Sequence, residues 1–186
     1  MLKLDFIDVK HNKEIIKDLK KLYKEAFPKN EQVPFWLLKR LSKKDNVNFY
    51  GIYEEAKFAG LVYNVIYKDI VFIFYLATDK NARGNGYGGK ILSLLKEKYK
   101  DYRIVLNIEE VNENRENSEQ RKRRKNFYIK NGFYDLNYTI KEYGEDYEML
   151  CYNEEGKHVS KEEYMCLMRN YFGDFLYNFV YKKISE

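Results

Sequence analysis

Tyr75 to Lys98 reads YLATDKNARGNGYGGKILSLLKEK, and it is the stretch of the chain whose residue types and spacing point most directly to chemistry. An apolar run enters a glycine-rich turn, and a helix-patterned segment leaves it. Strand, glycine loop and helix together present backbone N–H groups to a phosphate at a helix N-terminus. Gly84, Gly86, Gly88 and Gly89 carry no Cβ, so the chain can turn tightly and a ligand can approach its backbone. The pattern points to a pyrophosphate. Gly84 with Gly89-Lys90 fits the GxxxxGK of a P-loop, but Ile91 stands where a Ser or Thr hydroxyl must reach Mg²⁺, which argues against a nucleotide triphosphatase. Gly84 to Gly89 also fits the GxGxxG of a dinucleotide site, with Glu109 downstream at a suitable distance for a ribose contact.

The elements around the loop discriminate further. Val47 to Tyr53 reads as a strand, Glu54 to Lys57 as a turn, and Phe58 to Tyr67 as a second strand. Lys68-Asp69 is the next turn and Ile70 to Ala77 a third strand. These runs are β-branched and aromatic, with turns of two to four polar residues, so they predict antiparallel hairpins. No helix fits between them, so no parallel crossover can form, which argues against the dinucleotide topology.

The same loop contains Arg83-x-x-Gly86-x-Gly88. Downstream, Asn126 to Phe133 reads NFYIKNGF, an aromatic-Tyr-x-x-x-Gly-Phe segment in which Asn131-Gly132 stops a helix through a left-handed turn. After an antiparallel meander, these two motifs resemble the coenzyme A loop and the second signature of the GNAT N-acetyltransferase superfamily, with the order of elements matching from about Leu2 to Asn153. The resemblance implies an α+β fold. Its mixed, mostly antiparallel central sheet would have about seven strands, splayed between the fourth and fifth, with flanking helices. Residues 1–153 would form that domain. Residues 154–186 would be a C-terminal helical extension, packed on the same domain or at a dimer contact.

The other elements fit this order. Leu2 to Val9 alternates as an opening strand. Asn12 to Phe27 has an apolar stripe from Ile15 to Ala26, with Asn12 as its expected N-cap and Pro28 beyond its end. Phe35 to Leu38 begins a helix behind Pro34. Gly86 to Tyr99 and Ser118 to Lys130 read as helices and Arg103 to Glu110 as a strand. Tyr138 to Tyr143 and Tyr147 to Tyr152 read as a hairpin. Ser160 to Glu163 is a capping box. It opens a segment with Tyr164, Leu167, Met168, Tyr171, Phe175, Leu176 and Phe179 at helical spacing, broken at Gly173.

The resemblance also implies acetyl transfer from acetyl-coenzyme A to an amine. Backbone amides of Arg83, Gly84, Asn85, Gly86, Tyr87, Gly88 and Gly89 would hold the pyrophosphate. Leu76, Ala77 and Thr78 would pair with the pantetheine, an N–H near Leu76 would face the developing oxyanion, and Asn107 would face the coenzyme from the splayed strand. Tyr128 would serve the leaving thiolate as a general acid. With period-two alternation Asn107 and Glu109 share a face, and Glu109 is the candidate base. Glu31, Phe35 and Trp36 fall where the superfamily builds acceptor specificity, although Trp36 fits a core position equally well. The acceptor class stays open among polyamine, antibiotic, amino acid and protein N-terminus. A non-catalytic acyl-coenzyme A-binding module is the rival reading.

Composition bounds the rest. At 186 residues with 45% hydrophobic and 34% charged content, the chain is expected to be globular. No apolar run is long enough to span a membrane, and the N-terminus lacks a signal-peptide pattern. Cys151 and Cys166 have neither metal-ligand spacing nor a disulfide framework, so no metal is expected and a reducing cytoplasm is the simplest compartment. Abundant Lys, Asn, Ile, Tyr and Phe suggests an AT-rich, bacterial genome. The formal charge is +5, and one basic run, Arg121 to Lys125, stands out. A solvated helix face, contact with coenzyme phosphates, and nucleic acid are its three readings, the last thin and not expected.

Overall fold

The computed structural model describes residues 3–142 and 144–177. Seven strands form one sheet in the order β1-β2-β3-β4-β5-β7-β6. They are β1 (Leu4–Asp8), β2 (Val47–Glu54), β3 (Lys57–Tyr67), β4 (Ile70–Thr78), β5 (Arg103–Glu109), β6 (Tyr134–Glu142) and β7 (Glu145–Tyr152). Among the described residues the helices are α1 (Ile16–Ala26), α2 (Phe35–Leu41), α3 (Tyr87–Lys98), α4 (Ser118–Lys130), α5 (Lys161–Phe172) and the short α6 (Asp174–Leu176). The sheet is open and mixed, with β4 and β5 parallel because α3 provides the crossover between them. The expected α+β architecture is the observed one.

The chain divides into two compact units. One is the N-terminal part through Ile66 together with Ile73–Glu97; the other is Tyr67–Phe72 together with the chain from Lys98 onward. In the first, the β2–β3 turn places Glu55 at φ 55°, and β2 pairs with β3 from Val47↔Val65 to Glu54↔Lys57. A cluster of edge-on rings fills its core, with Tyr23 against Tyr75 at 4.9 Å and Phe49 against Tyr63 at 5.0 Å. The Tyr23 hydroxyl donates to the Val33 carbonyl at 2.9 Å, so a buried phenol keeps a partner.

The second unit holds the β5–β7–β6 ladder, α4 and α5. Tyr164, Leu167, Met168, Tyr171 and Phe172 of α5 are buried. Ser160 and Glu163 form the expected capping box, and Gly173 ends α5 at φ 76°. The side chain of Phe175, together with Phe179, Tyr143 and Leu2, lies outside the described residues.

Two boundaries differ from the sequence reading by more than two residues. Asn12 does not cap α1: its Oδ1 accepts from the Glu14 N–H at 2.9 Å in a local turn, and the helix starts four residues later at Ile16. Strand β6 begins at Tyr134 rather than Tyr138. Asn137, at φ 58°, sits in a register shift between Asp135 and Thr139, a bulge that interrupts the alternation on which strand recognition depends.

Candidate coenzyme site and charged clusters

The glycine loop is built from β4 outward. Asp79 ends the strand and caps a single 3-10 turn, Lys80–Ala82, by accepting from the Asn81 N–H at 2.9 Å. The chain then runs through Arg83, Gly84, Asn85 and Gly86, all exposed, into α3. Gly84 lies at φ 81° and Gly86 at φ 75°, in the left-handed region where a Cβ is penalised. A Cβ at either position would meet nothing within 4 Å, so the glycines are set by backbone conformation and leave open space around them. The first-turn N–H groups of α3 have no intrahelical acceptor, because none precedes them. The loop thus combines open backbone with helix-end donors, the two features that suit an anion.

Tyr87 has a different part from its neighbours. Its side chain is buried and its hydroxyl donates to the Glu54 carboxylate in a short hydrogen bond, tying the start of α3 to β2. That hydrogen bond to Glu54 raises the phenol pKa above its ordinary value. Tyr87 therefore offers a ligand only its backbone. Gly60 of β3 is a second close approach: a Cβ there would stand 2.5 Å from the Ala77 carbonyl oxygen. Only a bare Cα lets the end of β4 sit this near. On β4, Phe74, Leu76 and Thr78 are half-buried while Ile73, Tyr75 and Ala77 are buried.

Among the acceptor candidates, Phe35 packs against Tyr23 at 5.8 Å and Phe49 at 5.9 Å. Glu31 accepts the Tyr75 hydroxyl at its carbonyl, 3.0 Å away. Trp36 is 66% exposed, which removes the core alternative for it.

The second unit holds Tyr128, Asn107 and Glu109. Tyr128 is buried on α4 and packs edge-on against Phe127 and Phe133 at 5.2 and 5.7 Å. Desolvation pushes its phenol up to about 12, although the Arg124 charge pulls the other way. Asn107 and Glu109 have different partners. Asn107 Nδ2 donates to Glu142 at 3.4 Å. Glu109 is buried between two guanidinium groups, 3.1 Å from Arg121 and 2.5 Å from Arg124. Both of its carboxylate oxygens are thus engaged by protein cations, which weighs against its use as a base.

The basic run is equally committed. Arg121 is buried and also donates to the Glu110 carbonyl at 3.0 Å, to Asn117 at 2.9 Å and to Glu145 at 3.3 Å. Lys122 pairs with Glu113, and Lys125 pairs with Asp135 and Glu148 at 2.9 and 2.5 Å. A solvated face describes it poorly, and four of its five cations already have protein anions. Spacing along the run does not announce this, since the partners come from β5, β6, β7 and the loops beside α4.

Among the described residues, no helix is long and apolar enough to cross a membrane. No group of three or more His, Cys, Asp or Glu side chains among them could hold a metal ion. Cys151 is buried and Cys166 exposed, both as free thiols.

Comparison with known proteins agrees with this architecture. Residues 45–135 match the family profile described as Acetyltransferase (GNAT) domain. YjbC of Bacillus subtilis (strain 168), a protein assigned as an acetyltransferase, is 39% identical over 67 residues, which cover 36% of this chain. The match spans about a third, 32%, of that relative's length. A solved structure from Bacteroides thetaiotaomicron, assigned to the GNAT family, superposes with a TM-score of 0.71 at 22% identity, covering 94% of this chain and 98% of that one. Arabidopsis thaliana NAA60, solved in complex with acetyl-CoA, gives a TM-score of 0.63 at 12% identity, covering 83% of this chain and 100% of its own. At those identities the structural likeness speaks for the fold. Profile, relative and fold point the same way: residues 45–135, just under half of the chain, are similar to the GNAT acetyltransferase domain, and the fold is that of its solved structures.

Proposed function

We propose that the chain is an N-acetyltransferase that moves an acetyl group from acetyl-coenzyme A to a primary amine by direct attack in a ternary complex. The observation that carries this reading is the Arg83–Gly89 loop, with open glycines at positive φ leading into α3 in a chain similar to this superfamily. Acetyl-coenzyme A supplies an activated thioester carbonyl. Backbone N–H groups of the loop bind its pyrophosphate, and the Arg83 side chain adds a charge-assisted contact to phosphate. Backbone groups of Leu76, Ala77 and Thr78 orient the pantetheine arm, and an N–H near Leu76 steadies the oxyanion. Asn107 is a further coenzyme contact. No covalent carrier is invoked, because neither Cys151 nor Cys166 lies in either motif.

Tyr128 acts at the leaving sulfur. A phenol at about 12 stays protonated at neutral pH. Handing its proton fully to a thiolate of ordinary pKa ~8.5 is uphill by roughly 5 kcal/mol. Its role is to donate a hydrogen bond to the developing negative charge. Glu31, Phe35 and Trp36 are acceptor-side residues in this reading, with the exposed Trp36 ring available to a ligand.

One observation favours the rival reading, a non-catalytic acyl-coenzyme A-binding module that works through a protein partner. The carboxylate nominated as base from the sequence, Glu109, is held by Arg121 and Arg124. Thermal unfolding with acetyl-coenzyme A, NAD and ATP–Mg²⁺ added separately tests the shared premise. A ligand at ~100 times its Kd adds about 2.7 kcal/mol, hence roughly 5–11 °C for a chain of this size. A shift with acetyl-coenzyme A alone supports the coenzyme site, and thiol release in an amine panel then separates enzyme from module. A shift with NAD instead, or none with acetyl-coenzyme A, ends both readings.

A further inference from the structure

The helical layer of the first unit carries an excess of positive charge that the rest of the chain lacks. Residues 13–44 hold ten Lys and Arg against four Asp and Glu, whereas the remaining residues hold 24 against 25. Both helices of this layer pack on one side of β2. A Cβ at Gly51 would come within 3.3 Å of Ile15 and 3.7 Å of Leu19, and the Phe35 ring lies 5.9 Å from Phe49. Phe49 and Gly51 stand two apart on one strand, so they share a face. Leu19, Leu22 and Tyr23 of α1 and Leu37, Leu38 and Leu41 of α2 are buried against the sheet, and the opposite faces of the two helices meet solvent. Those faces have one spacing, i, i+3, i+4 and i+7. On α1 it places Lys17, Lys20, Lys21 and Lys24; on α2 and the turn after it, Trp36, Lys39, Arg40 and Lys43, and all eight are exposed. None of the seven cations has an ion-pair partner among the described residues. Of the four acids, Asp18 accepts the Tyr53 hydroxyl at 3.2 Å and Glu31 is half-buried, while Glu14 and Glu25 are exposed. Open charge, not charge density along the sequence, sets this face apart from Arg121–Lys125. Trp36, the chain's single tryptophan, stands among these cations with 66% of its surface exposed. Trp and Arg are the side chains that most often anchor protein interfaces.

We propose that this face docks an acidic polypeptide segment and that the segment carries the acceptor amine. An exposed ion pair contributes little on its own, so spread cations select a partner with several negative charges over a single small anion. A bilayer does not suit the face, because the leucines of α2 are buried and Trp36 alone is left to enter it. That the segment is the acceptor rests on the acetyltransferase reading, in which Trp36 is an acceptor-side residue. The reaction needs an amine with a free lone pair. A neutral peptide N-terminus or lysine has one, whereas the exocyclic amines of nucleic-acid bases are conjugated with their rings, so a polypeptide fits where RNA of equal charge does not. The amine nitrogen forms the C–N bond to the acetyl carbon as the C–S bond breaks. The C–S electron pair leaves on sulfur, and one nitrogen-bound proton passes to that sulfur.

Trp36 emission in the full-length chain reads docking directly, since a bound segment excludes water from the ring and shifts the emission to shorter wavelength. The probes are tryptophan-free peptides of equal length that begin with Ala and are rich in Glu, in Gln or in Lys. The Glu peptide should shift the emission and bind about tenfold or more tightly than the Gln peptide, and added salt should weaken it. K20E/K24E on α1 and K39E/R40E/K43E on α2 should each weaken the Glu peptide about tenfold or more. K39E/R40E/K43E should also gain affinity for the Lys peptide, a reversal that misfolding does not produce. Stabilisation by acetyl-coenzyme A should persist in both variants. Free thiol should be released from acetyl-coenzyme A faster with the Glu peptide than with the Gln peptide or with the polycations spermidine and kanamycin. No emission shift with the Glu peptide, or an equal one with the Gln peptide, overturns the proposal. So does a shift with oligouridylate or phosphatidylserine vesicles in place of the Glu peptide. Docking without faster thiol release than the Gln peptide gives overturns the segment's part as acceptor. A chain that acetyl-coenzyme A does not stabilise removes the acetyltransferase reading itself, a distinct failure, because the emission readout uses no coenzyme.

Discussion

The Arg83–Gly89 loop and the Arg121–Lys125 run are both short, polar and conspicuous in the sequence, yet they are built in opposite ways. The loop leaves its backbone open: four consecutive exposed residues, two glycines at positive φ, and no atom within 4 Å of where their Cβ atoms would be. The run leaves almost nothing open. Arg121 alone donates to Asn117, Glu109, Glu110 and Glu145, and its side chain is 5% exposed. Charge density in a sequence is therefore a poor guide to ligand binding here. The protein has used its most basic stretch to fasten α4 to the β5–β7–β6 ladder, whereas the polarity of the loop is backbone polarity, which carries no net charge. This is why a chain of net charge +5 shows no broad basic face in that run.

The comparison breaks most readily at Glu109. Breaking a buried pair leaves uncompensated charge and costs roughly 3 kcal/mol at the low end. Glu109→Gln should therefore lower the melting temperature by about 6–12 °C while leaving stabilisation by acetyl-coenzyme A intact. A variant that melts like wild type but loses turnover would reverse the assignment and restore Glu109 as the base.

The loop should respond the other way. Gly86→Trp keeps the fold, because the position is open, apart from about 1–2 kcal/mol for placing an L-residue in the left-handed region. It should weaken acetyl-coenzyme A binding by about a hundredfold, or roughly 2.7 kcal/mol. Unchanged affinity by calorimetry would sink the loop assignment. Gly60→Ala provides the internal control. Its Cβ would collide with the Ala77 carbonyl oxygen, so it should cost stability with or without ligand.

These two regions also mark what a sequence makes legible. The loop, the hairpins and the Gly132 stop were readable because each is local: a turn, a helix end or an alternation is decided within a few residues. The Ser160–Glu163 capping box was readable for the same reason. Partners of Glu109, Tyr87 and Glu142 were not, because they come from elements 12 to 35 residues away. Alternation puts Asn107 and Glu109 on one face but says nothing of their partners, which come from β6 and α4 respectively. Nothing in the spacing of Asn12 revealed that its side chain would close a turn instead of a helix.

Tyr128 tests the comparison from inside α4. It sits on the same helix as the basic run, and in the proposed mechanism it serves the coenzyme sulfur, so its loss should register in chemistry rather than in stability. Tyr128→Phe should slow turnover about tenfold, or ~1.4 kcal/mol, and barely change either the melting temperature or coenzyme affinity. Wild-type turnover would remove its hydrogen bond to sulfur from the mechanism. A large fall in melting temperature would make it a core residue like its ring neighbours.

The smallest effect comes from a second charged fastening, and its sign can be worked out. Arg103 grips Asp69 through two contacts of 2.8 Å and Glu163 through contacts of 2.8 and 3.2 Å, while donating to the His158 carbonyl at 2.7 Å. The hydrogen bonds from Arg103 hold both carboxyls below their ordinary values of 3.8 and 4.5. The unfolded chain therefore binds more protons in that range, and stability rises with pH. The contribution is complete above about pH 5 and is lost as pH falls through the depressed native values. Asp69 and Glu163 are half exposed, so solvent screening limits the gain to ~1 kcal/mol or less. The gap in melting temperature between wild type and Arg103→Ala should accordingly narrow between pH 6 and pH 3. It should not close, because the bond to the His158 carbonyl does not titrate. A gap that stays constant over this range would mean that the ion pairs contribute nothing measurable and that Arg103 fastens α5 through the carbonyl alone.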